Sequence, residues 1–299
     1  MKRIGIIYIS TGPYNAFWED YFRSCEQNFL PDVEKHYYIF TDLEQVYGED
    51  TCNRIHRHFI DHQPWPLVTL LKFRTILSIE QELIENDYIT FTNSNILCEN
   101  TVTIQEYLPR EEQGEELFFT QHPGFAHVPV WKTTLDRNPA CLAYVPYNVQ
   151  TQYVYGAMNG GTTKAYLRMC RTLAARIEED LKRNVIALWH DESHINRYII
   201  GKTNYRLLSP AYCYPCNIPN YPAPRKLCEI DKRLKFDVKT FKGQYEPVPA
   251  PAKPPLPRRL YLAVRSAVAF VYRGLFRSQR SHYLRDCLLR KSIPVLDAE

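Results

Sequence analysis

The chain has 299 residues, of which 45% are apolar and 23% are charged, as is typical of soluble globular proteins with one or two domains. The net charge of +4 arises at the carboxyl end, because residues 258–299 hold nine Lys or Arg against three Asp or Glu. The first 257 residues hold 28 basic and 30 acidic side chains, which excludes nucleic-acid binding driven by bulk charge.

The amino-terminal segments predict the opening of a nucleotide-binding α/β sheet. Residues 4–9 form a near-continuous apolar run, as expected of a parallel strand buried on both faces. A turn, a helix from about Asn15 as N-cap, and a second strand at residues 36–41 follow. This order favours a doubly wound sheet, although GxGxxG is absent. In the loop after the first strand, Tyr14 either stacks on a nucleobase or packs in the core.

The next segments predict a short basic strand or loop at residues 54–58 and one helix at residues 65–86. Lys72 on this helix either reaches an anionic ligand or faces solvent. A strand rich in aromatic and β-branched residues is predicted at residues 88–92.

Asn93 and Asn95 follow that strand at its carboxyl end, where open α/β sheets bind ligands. Many nucleotide-sugar transferases carry a metal-binding Asp-x-Asp at this place. An amide is neutral, whereas divalent ions prefer charged oxygen ligands. The pair therefore predicts either a donor site that lacks the usual metal or an ordinary polar turn.

The second half of the chain predicts strands at residues 117–121 and 153–161, a helix at residues 162–183, and a further strand and turn at residues 207–213. Asp191 and Glu192 lie in the most chemical segment, between two histidines but without the HExxH zinc motif. On a helix, adjacent residues point roughly 100° apart, so the two carboxylates are expected to have different roles. We interpret the segment as a helix start with one catalytic carboxylate; an ordinary charged helix start is the alternative.

Composition divides the chain into a main domain at residues 1–245, a Pro-rich linker at residues 246–258 and a basic amphipathic tail at residues 259–299. The tail predicts a helix that lies on a membrane surface or docks on a partner. Packing of this helix back on the main domain is the alternative.

The nine cysteines are odd in number and lack a repeating spacing, which argues against a disulfide framework and for a reducing compartment. Cys213 and Cys216 form the one close pair, but their Pro- and Tyr-rich loop does not favour a redox or zinc site. No signal peptide is visible, and no apolar run approaches the roughly 20 residues of a membrane span. We expect a cytoplasmic protein with peripheral contact to the inner membrane through its tail.

Six segments, in order, resemble glycosyltransferase family 6, which includes the histo-blood-group A and B transferases and the α-1,3-galactosyltransferases. They are residues 37–42, the strand ending at Asn95, and residues 122–125, 156–161, 189–194 and 208–212. The resemblance implies a GT-A fold, a Rossmann-like mixed sheet with flanking helices. It also implies retaining transfer of galactose or N-acetylgalactosamine from a UDP-sugar to the 3-OH of a possibly fucosylated β-galactoside. Asn-x-Asn is typical of bacterial members that look metal-independent, so no cofactor is expected.

The resemblance also implies roles for individual positions. Glu192 matches the catalytic carboxylate. Tyr155 and Ala157 match the positions that distinguish the two donor sugars, and their bulk favours galactose. The acceptor-binding predictions are His122, Trp189 and His190. The donor-binding predictions are Ile9, Ser10, Thr11, Tyr14, Trp65, Lys72, Asn93, Ser94, Asn95, Tyr155, Gly156, Ala157, Asp191 and Lys232.

Two alternatives stay open at this point. The donor is UDP-N-acetylgalactosamine in one of them. In the other, the protein is a catalytically inactive carbohydrate-binding protein that has lost Asp-x-Asp. The intact segment around Glu192 favours an enzyme, a hexosyltransferase.

Overall fold

A computed structural model describes residues 2–218 and 224–238, together with residues 260, 263 and 264. The predicted Pro-rich linker lies outside the described residues, as does the predicted tail apart from those three positions. Within these ranges, no helix combines the length and the apolar character that crossing a bilayer requires.

The described ranges contain strands and helices that alternate along the chain. The strands are β1 (Arg3–Ile9), β2 (Glu34–Thr41), β3 (Ile55–Phe59), β4 (Tyr88–Thr92), β5 (Ile96–Cys98), β6 (Leu117–Gln121), β7 (Val154–Thr162), β8 (Tyr205–Leu208), β9 (Tyr214–Pro215) and β10 (Leu227–Glu229). The α-helices are α1 (Trp18–Asn28), α2 (Leu67–Leu70), α3 (Lys72–Leu77), α4 (Glu80–Leu83), α5 (Ile104–Tyr107), α6 (Thr163–Lys182) and α7 (His190–Tyr198).

Seven strands form one mixed sheet in the order β3-β2-β1-β4-β7-β6-β8. β1 runs parallel to both β2 and β4, and β7 runs antiparallel to β4 and β6. The chain builds β2 and β3 on one side of β1 and then crosses to place β4 on the other side. The carboxyl ends of β1 and β4 therefore flank a topological switch point, the usual ligand crevice of such sheets. The expected GT-A-like mixed α/β fold is confirmed.

The buried run of β1 shows why the apolar segments form central strands. Ile4, Ile6 and Tyr8 pack into one hydrophobic core, which includes α1, whereas Ile7 packs into a second core, which includes α3, α6 and α7. Successive side chains of a strand point to opposite faces, and here each face is covered. A central strand between two cores must be apolar on both faces, as its sequence predicted.

The glycine pair predicted to end the strand at residues 153–161 lies inside β7, where neighbouring strands come very close. A Cβ at Gly160 would lie 2.3 Å from Cζ of Phe118 and 2.4 Å from the carbonyl oxygen of Ile89. A Cβ at Gly161 would lie 2.4 Å from the carbonyl oxygen of Glu116. Glycine is therefore required for β7 to fit between β4 and β6.

The single helix predicted at residues 65–86 is wrong, because the segment forms α2, α3 and α4 in succession. The backbone reaches ψ of 0° at Leu71 and leaves helical geometry at Ile79, where φ is −116° and ψ is 27°. Leu70, Phe73 and Leu83 are nevertheless buried in the second core. Short helices joined by tight turns keep the apolar spacing of one long helix, so periodicity does not distinguish the two.

The predicted N-cap at Asn15 is also wrong, because residues Gly12–Phe17 form a 3-10 helix and α1 begins at Trp18. The side-chain oxygen of Asn15 accepts hydrogen bonds from the hydroxyls of Ser10 and Thr41, both at 2.9 Å. Its amide nitrogen donates to Asp42 at 2.6 Å. Asn15 therefore ties together the carboxyl ends of β1 and β2.

A second sheet has the strand order β5-β10-β9, and β10 pairs antiparallel with β5. Glu229, at the end of β10, pairs with Ile96 directly after Asn95. The structure also joins Cys216 and Cys228 in a disulfide, so the expectation of unpaired cysteines is wrong for these two. The small sheet therefore brings the carboxyl-terminal part of the main domain against the segment that follows β4.

Candidate functional site

A cavity of about 400 Å³ lies at the switch point between β1 and β4. The fourteen residues predicted to bind the donor all line it, as do Glu192 and the predicted acceptor residues His122 and Trp189. His190 does not line the cavity, because its ring packs edge-on against Trp65 at 4.7 Å between ring centroids. The tertiary structure therefore brings together almost all of the positions that the sequence singled out, while their individual roles stay predictions.

Glu192, in the first turn of α7, lies half-buried on the cavity wall. Its Oε1 accepts a hydrogen bond from the Tyr153 hydroxyl at 2.6 Å, and its Oε2 accepts one from the Gly156 backbone N–H at 2.8 Å. Loss of hydration raises the pKa of Glu192 to about 7; the two hydrogen bonds oppose this rise. A carboxyl group with such a pKa exists in both protonation states near neutral pH.

Asp191 makes a different contact from its neighbour, as the helical geometry predicted. Its Oδ2 lies 2.5 Å from Nζ of Lys72, and the two side chains are only 12% and 4% exposed. Lys72 Nζ also donates to the Gly156 carbonyl at 3.2 Å and lies 4.1 Å from the ring centroid of Phe91. Lys72 is therefore a buried cation that joins α3 to α7 and β7, and its solvent-facing alternative is wrong.

Gly156 allows β7 to approach the start of α7. A Cβ at this position would lie 2.9 Å from Cβ of Glu192 and 3.3 Å from Oδ2 of Asp191. Any larger residue would push α7 away from the strand and break the N–H contact that holds the Glu192 carboxylate. The glycine is therefore part of the geometry of the site.

The loop after β1 is covered by the carboxyl-terminal part of the main domain. The ring of Tyr14 lies 5.0 Å from the ring of Phe236, and Nζ of Lys232 lies 5.4 Å from the Tyr14 ring centroid. The Thr11 hydroxyl is hydrogen-bonded to Nδ1 of His62 at 2.8 Å. Tyr14 and Lys232 both line the cavity, so an aromatic ring and a cation stand together at this wall.

The two asparagines after β4 do not fit a divalent ion held by two carboxylates. The side-chain nitrogen of Asn95 donates to the Ile230 carbonyl at 2.7 Å and to Glu229 at 3.2 Å. Groups of His, Cys, Asp and Glu with metal-ligand spacing occur elsewhere in the described ranges, and they contain neither Asn93 nor Asn95. The donor set at this position consists of neutral amides, which are poor ligands for Mn²⁺ or Mg²⁺.

His122 and Trp189 form the opposite part of the cavity. The His122 ring lies 4.5 Å from Tyr155 and 4.8 Å from Phe125, and burial lowers the pKa of His122 to about 4. The imidazole is therefore neutral and can both donate and accept hydrogen bonds. Trp189 is 47% exposed. An exposed indole beside a neutral imidazole suits the apolar face and the hydroxyls of a sugar.

Some residues of the site were missed from the sequence. His62, Gln63, Val68, Thr69, Phe91, Phe125 and Thr134 also line the cavity, and Tyr153 and Glu229 contact residues that line it. Tyr153 lies two residues before Tyr155, so strand alternation could have placed both on one face. For Glu229 the sequence contains no such signal, because its contacts arise from the pairing of β10 with β5.

Comparisons with known proteins agree with this geometry. A sequence model of glycosyltransferase family 6 matches residues 2–237. The Escherichia coli O-antigen biosynthesis glycosyltransferase WbnI is 31% identical over 212 residues, which cover 71% of this chain and 88% of that protein. The histo-blood group ABO system transferase 2 of Rattus norvegicus is 24% identical over 78% of this chain and 68% of its own length. The globoside alpha-1,3-N-acetylgalactosaminyltransferase 1 of Gallus gallus is 26% identical over 73% and 64%, respectively.

Proposed function

This chain belongs to glycosyltransferase family 6, and we propose that it is a retaining α-1,3-galactosyltransferase that uses UDP-galactose without a metal ion. The relatives are glycosyltransferases, so a nucleotide-sugar donor and a glycan acceptor are the expected substrates. The observation that carries the proposal is the Glu192 carboxylate, held by Tyr153 and Gly156 on the wall of the switch-point cavity. The proposed acceptor is the 3-OH of a β-galactoside, which can be fucosylated.

Cleavage of the bond between sugar and diphosphate develops positive charge on the sugar ring and negative charge on UDP. In the proposed mechanism, Glu192 faces the anomeric carbon and stabilises the cationic ring or bonds to it covalently. Tyr153 and Gly156 supply the two hydrogen bonds that orient the carboxylate before the reaction. Because these donors are already in place, little reorganisation is needed as charge develops.

The negative charge on the leaving UDP requires a cationic partner. Lys232 lines the cavity beside Tyr14, which we propose as the stacking partner of the uracil. An ammonium group makes charge-assisted hydrogen bonds to phosphate oxygens. Lys72 is less suited to this role, because its Nζ is engaged by Asp191 and the Gly156 carbonyl. We therefore assign the leaving-group charge to Lys232.

The direct test is an assay of UDP release from UDP-galactose in the presence and absence of a fucosylated β-galactoside. Acceptor-dependent release should persist in excess EDTA and should gain little from added Mn²⁺, because Asn93 and Asn95 offer no carboxylate. A strict requirement for Mn²⁺ contradicts metal independence. Binding of UDP or glycan without any transfer would instead support the inactive carbohydrate-binding alternative.

The pH profile of kcat/KM tests the state of Glu192. With a pKa of about 7 and a reaction that requires the ionised carboxylate, kcat/KM should rise with pH through about 7 and then level off. Tyr153→Phe removes a hydrogen bond that favours the ionised form, so it should raise the pKa and move this rise to higher pH. A flat profile across neutral pH, or a shift to lower pH in Tyr153→Phe, contradicts the assignment.

Donor choice is proposed from the bulk of Tyr155 and Ala157, since N-acetylgalactosamine requires extra space at C2. We expect a higher kcat/KM for UDP-galactose than for UDP-N-acetylgalactosamine against one acceptor. Ala157→Gly should shift the ratio towards N-acetylgalactosamine by about tenfold, within the roughly 1–3 kcal/mol that one methyl group is worth. A wild-type preference for UDP-N-acetylgalactosamine supports the alternative donor, and an unchanged ratio in Ala157→Gly refutes the role of this position.

A further inference from the structure

Glu229 joins two residues of the donor cavity, and the mechanism described above gives it no role. It ends β10 and is half-buried. Its Oε1 accepts a hydrogen bond from the side-chain amide of Asn95 at 3.2 Å, and its Oε2 accepts one from the Tyr155 hydroxyl at 2.9 Å. Asn95 and Tyr155 come from β4 and β7 of the large sheet, so this carboxylate connects the small sheet to both walls of the site.

The surroundings of Asn95 determine which way its amide faces. One group of the amide lies beside the Glu229 carboxylate and the Ile230 carbonyl oxygen. Both of these neighbours are acceptors only, so the group that faces them must be the NH₂. Both N–H bonds are thereby used within the protein. The polar atom left to Asn95 is Oδ1, which is buried and accepts no hydrogen bond within the described ranges.

An acceptor atom suits one part of a nucleotide sugar and not another. Phosphate oxygens are themselves acceptors, so Oδ1 of Asn95 cannot hydrogen-bond the diphosphate. A sugar hydroxyl can donate to it. No hydrogen bond within residues 2–218 and 224–238 commits the amide of Asn93, which also lines the cavity. The N–H groups of Asn93 are therefore the ones available to the diphosphate.

We infer that Glu229 is a positioning residue of the donor site, which fixes Asn95 as a hydrogen-bond acceptor for a hydroxyl of the donor sugar and holds Tyr155 in place. This inference rests on the proposed function, because it assumes a nucleotide-sugar donor in the cavity. It divides the two asparagines between opposite tasks: Asn93 donates to the diphosphate, whereas Asn95 accepts from the sugar.

Two further features agree with this role. Burial, reinforced by the Glu229 charge, holds the pKa of Tyr155 well above its usual range, so the tyrosine keeps its proton and remains a donor to Glu229. The Tyr155 ring also packs edge-on against His122 at 4.5 Å, which limits its freedom further. An Asp at position 95 would place a second carboxylate beside Glu229, and the like charges would repel. The amide at position 95 and the carboxylate at position 229 therefore require each other.

Binding of UDP and of UDP-galactose, measured by calorimetry without an acceptor, tests the inference. Asn95→Ala and Glu229→Met should weaken binding of UDP-galactose about five- to tenfold, the scale of one or two lost hydrogen bonds. Both variants should change UDP affinity by less than about twofold. Glu229→Gln should lose less than Glu229→Met, because it keeps one acceptor oxygen. Asn93→Ala should weaken UDP and UDP-galactose by the same factor.

UDP-galactose analogues that each lack one sugar hydroxyl identify the donated group. One analogue should bind wild-type protein as weakly as UDP-galactose binds Asn95→Ala, and its absence of that hydroxyl should cost nothing further in Asn95→Ala. Glu99→Gln, an exposed carboxylate next to the same small sheet, is the matched control and should leave both affinities unchanged.

Three results would overturn the inference. Equal losses of UDP and UDP-galactose affinity in Asn95→Ala would show that Asn95 holds the diphosphate. A folded Glu229→Met protein, confirmed by its thermal unfolding, with unchanged affinities would show that Glu229 positions nothing. Equal additional losses for every deoxy analogue in Asn95→Ala would exclude a sugar hydroxyl as its partner. Failure of the wild-type protein to bind UDP at all would be a different outcome, because it removes the proposed function itself.

Discussion

Replacement of Glu192 by Gln is expected to lower kcat by a factor of about 10² or more, the scale of a lost transition-state charge contact. The amide has the size of the carboxylate and can still accept hydrogen bonds from Tyr153 and Gly156, so the shape of the site should be retained. It carries no negative charge, and it can neither stabilise a cationic sugar ring nor bond to it. Donor affinity should therefore change little, while turnover collapses.

The measurement combines kcat from UDP release with calorimetric binding of UDP-galactose. Glu179→Gln, which removes an exposed carboxylate from α6, is the matched control and should keep wild-type turnover. Near-normal turnover of Glu192→Gln would transfer the role to Asp191 or to the leaving phosphate itself. Lost donor binding together with lost turnover would show that Glu192 holds the substrate rather than acting on its transition state.

Replacement of Lys72 by Met should lower the free energy of unfolding by about 3–5 kcal/mol, the cost of leaving one partner of a buried ion pair unpaired. Lys72 is 4% exposed, and its partner Asp191 is 12% exposed, so water cannot replace the lost ammonium. Because Asp191 precedes Glu192 in α7, the strain should reach the catalytic carboxylate, and activity should fall with stability.

Chemical denaturation of wild type and variants measures this loss. The double variant Lys72→Met with Asp191→Asn should recover part of the stability, because the uncompensated charge is removed. Lys182→Met, at a position 74% exposed, is the control and should change stability by no more than about 0.5 kcal/mol. A loss in Lys72→Met no larger than in this control would show that Asp191 is solvated or neutral in the folded protein.

Much of the architecture was accessible from local patterns. The apolar run of β1 and the β-branched run of β4 predicted central strands, and both lie in the large sheet with both faces covered. The position of Asn93 and Asn95 after β4, together with the carboxylates at residues 191 and 192, predicted a site at the carboxyl ends of the strands. These predictions succeeded because strand periodicity and burial on two faces are properties of short segments.

Other features depended on which distant segments meet. The apolar spacing of residues 65–86 did not reveal the turns that separate α2, α3 and α4, and it left Lys72 open between solvent and ligand. The pairing of Lys72 with Asp191 spans 119 residues of sequence, and that of Asn95 with Glu229 spans 134. The Cys216–Cys228 disulfide likewise became apparent only when β9 and β10 were placed side by side.

The sequence by itself determined the order of the elements, their buried faces and the residue types that carry the chemistry of this site. The tertiary structure alone decided the partners of those residues: Tyr153 for Glu192, Lys72 for Asp191 and Glu229 for Asn95. The physical reason is that burial repeats with the period of a strand or helix, whereas a hydrogen bond or ion pair has no period along the chain. It depends on the strand order and on close approaches such as the one at Gly156.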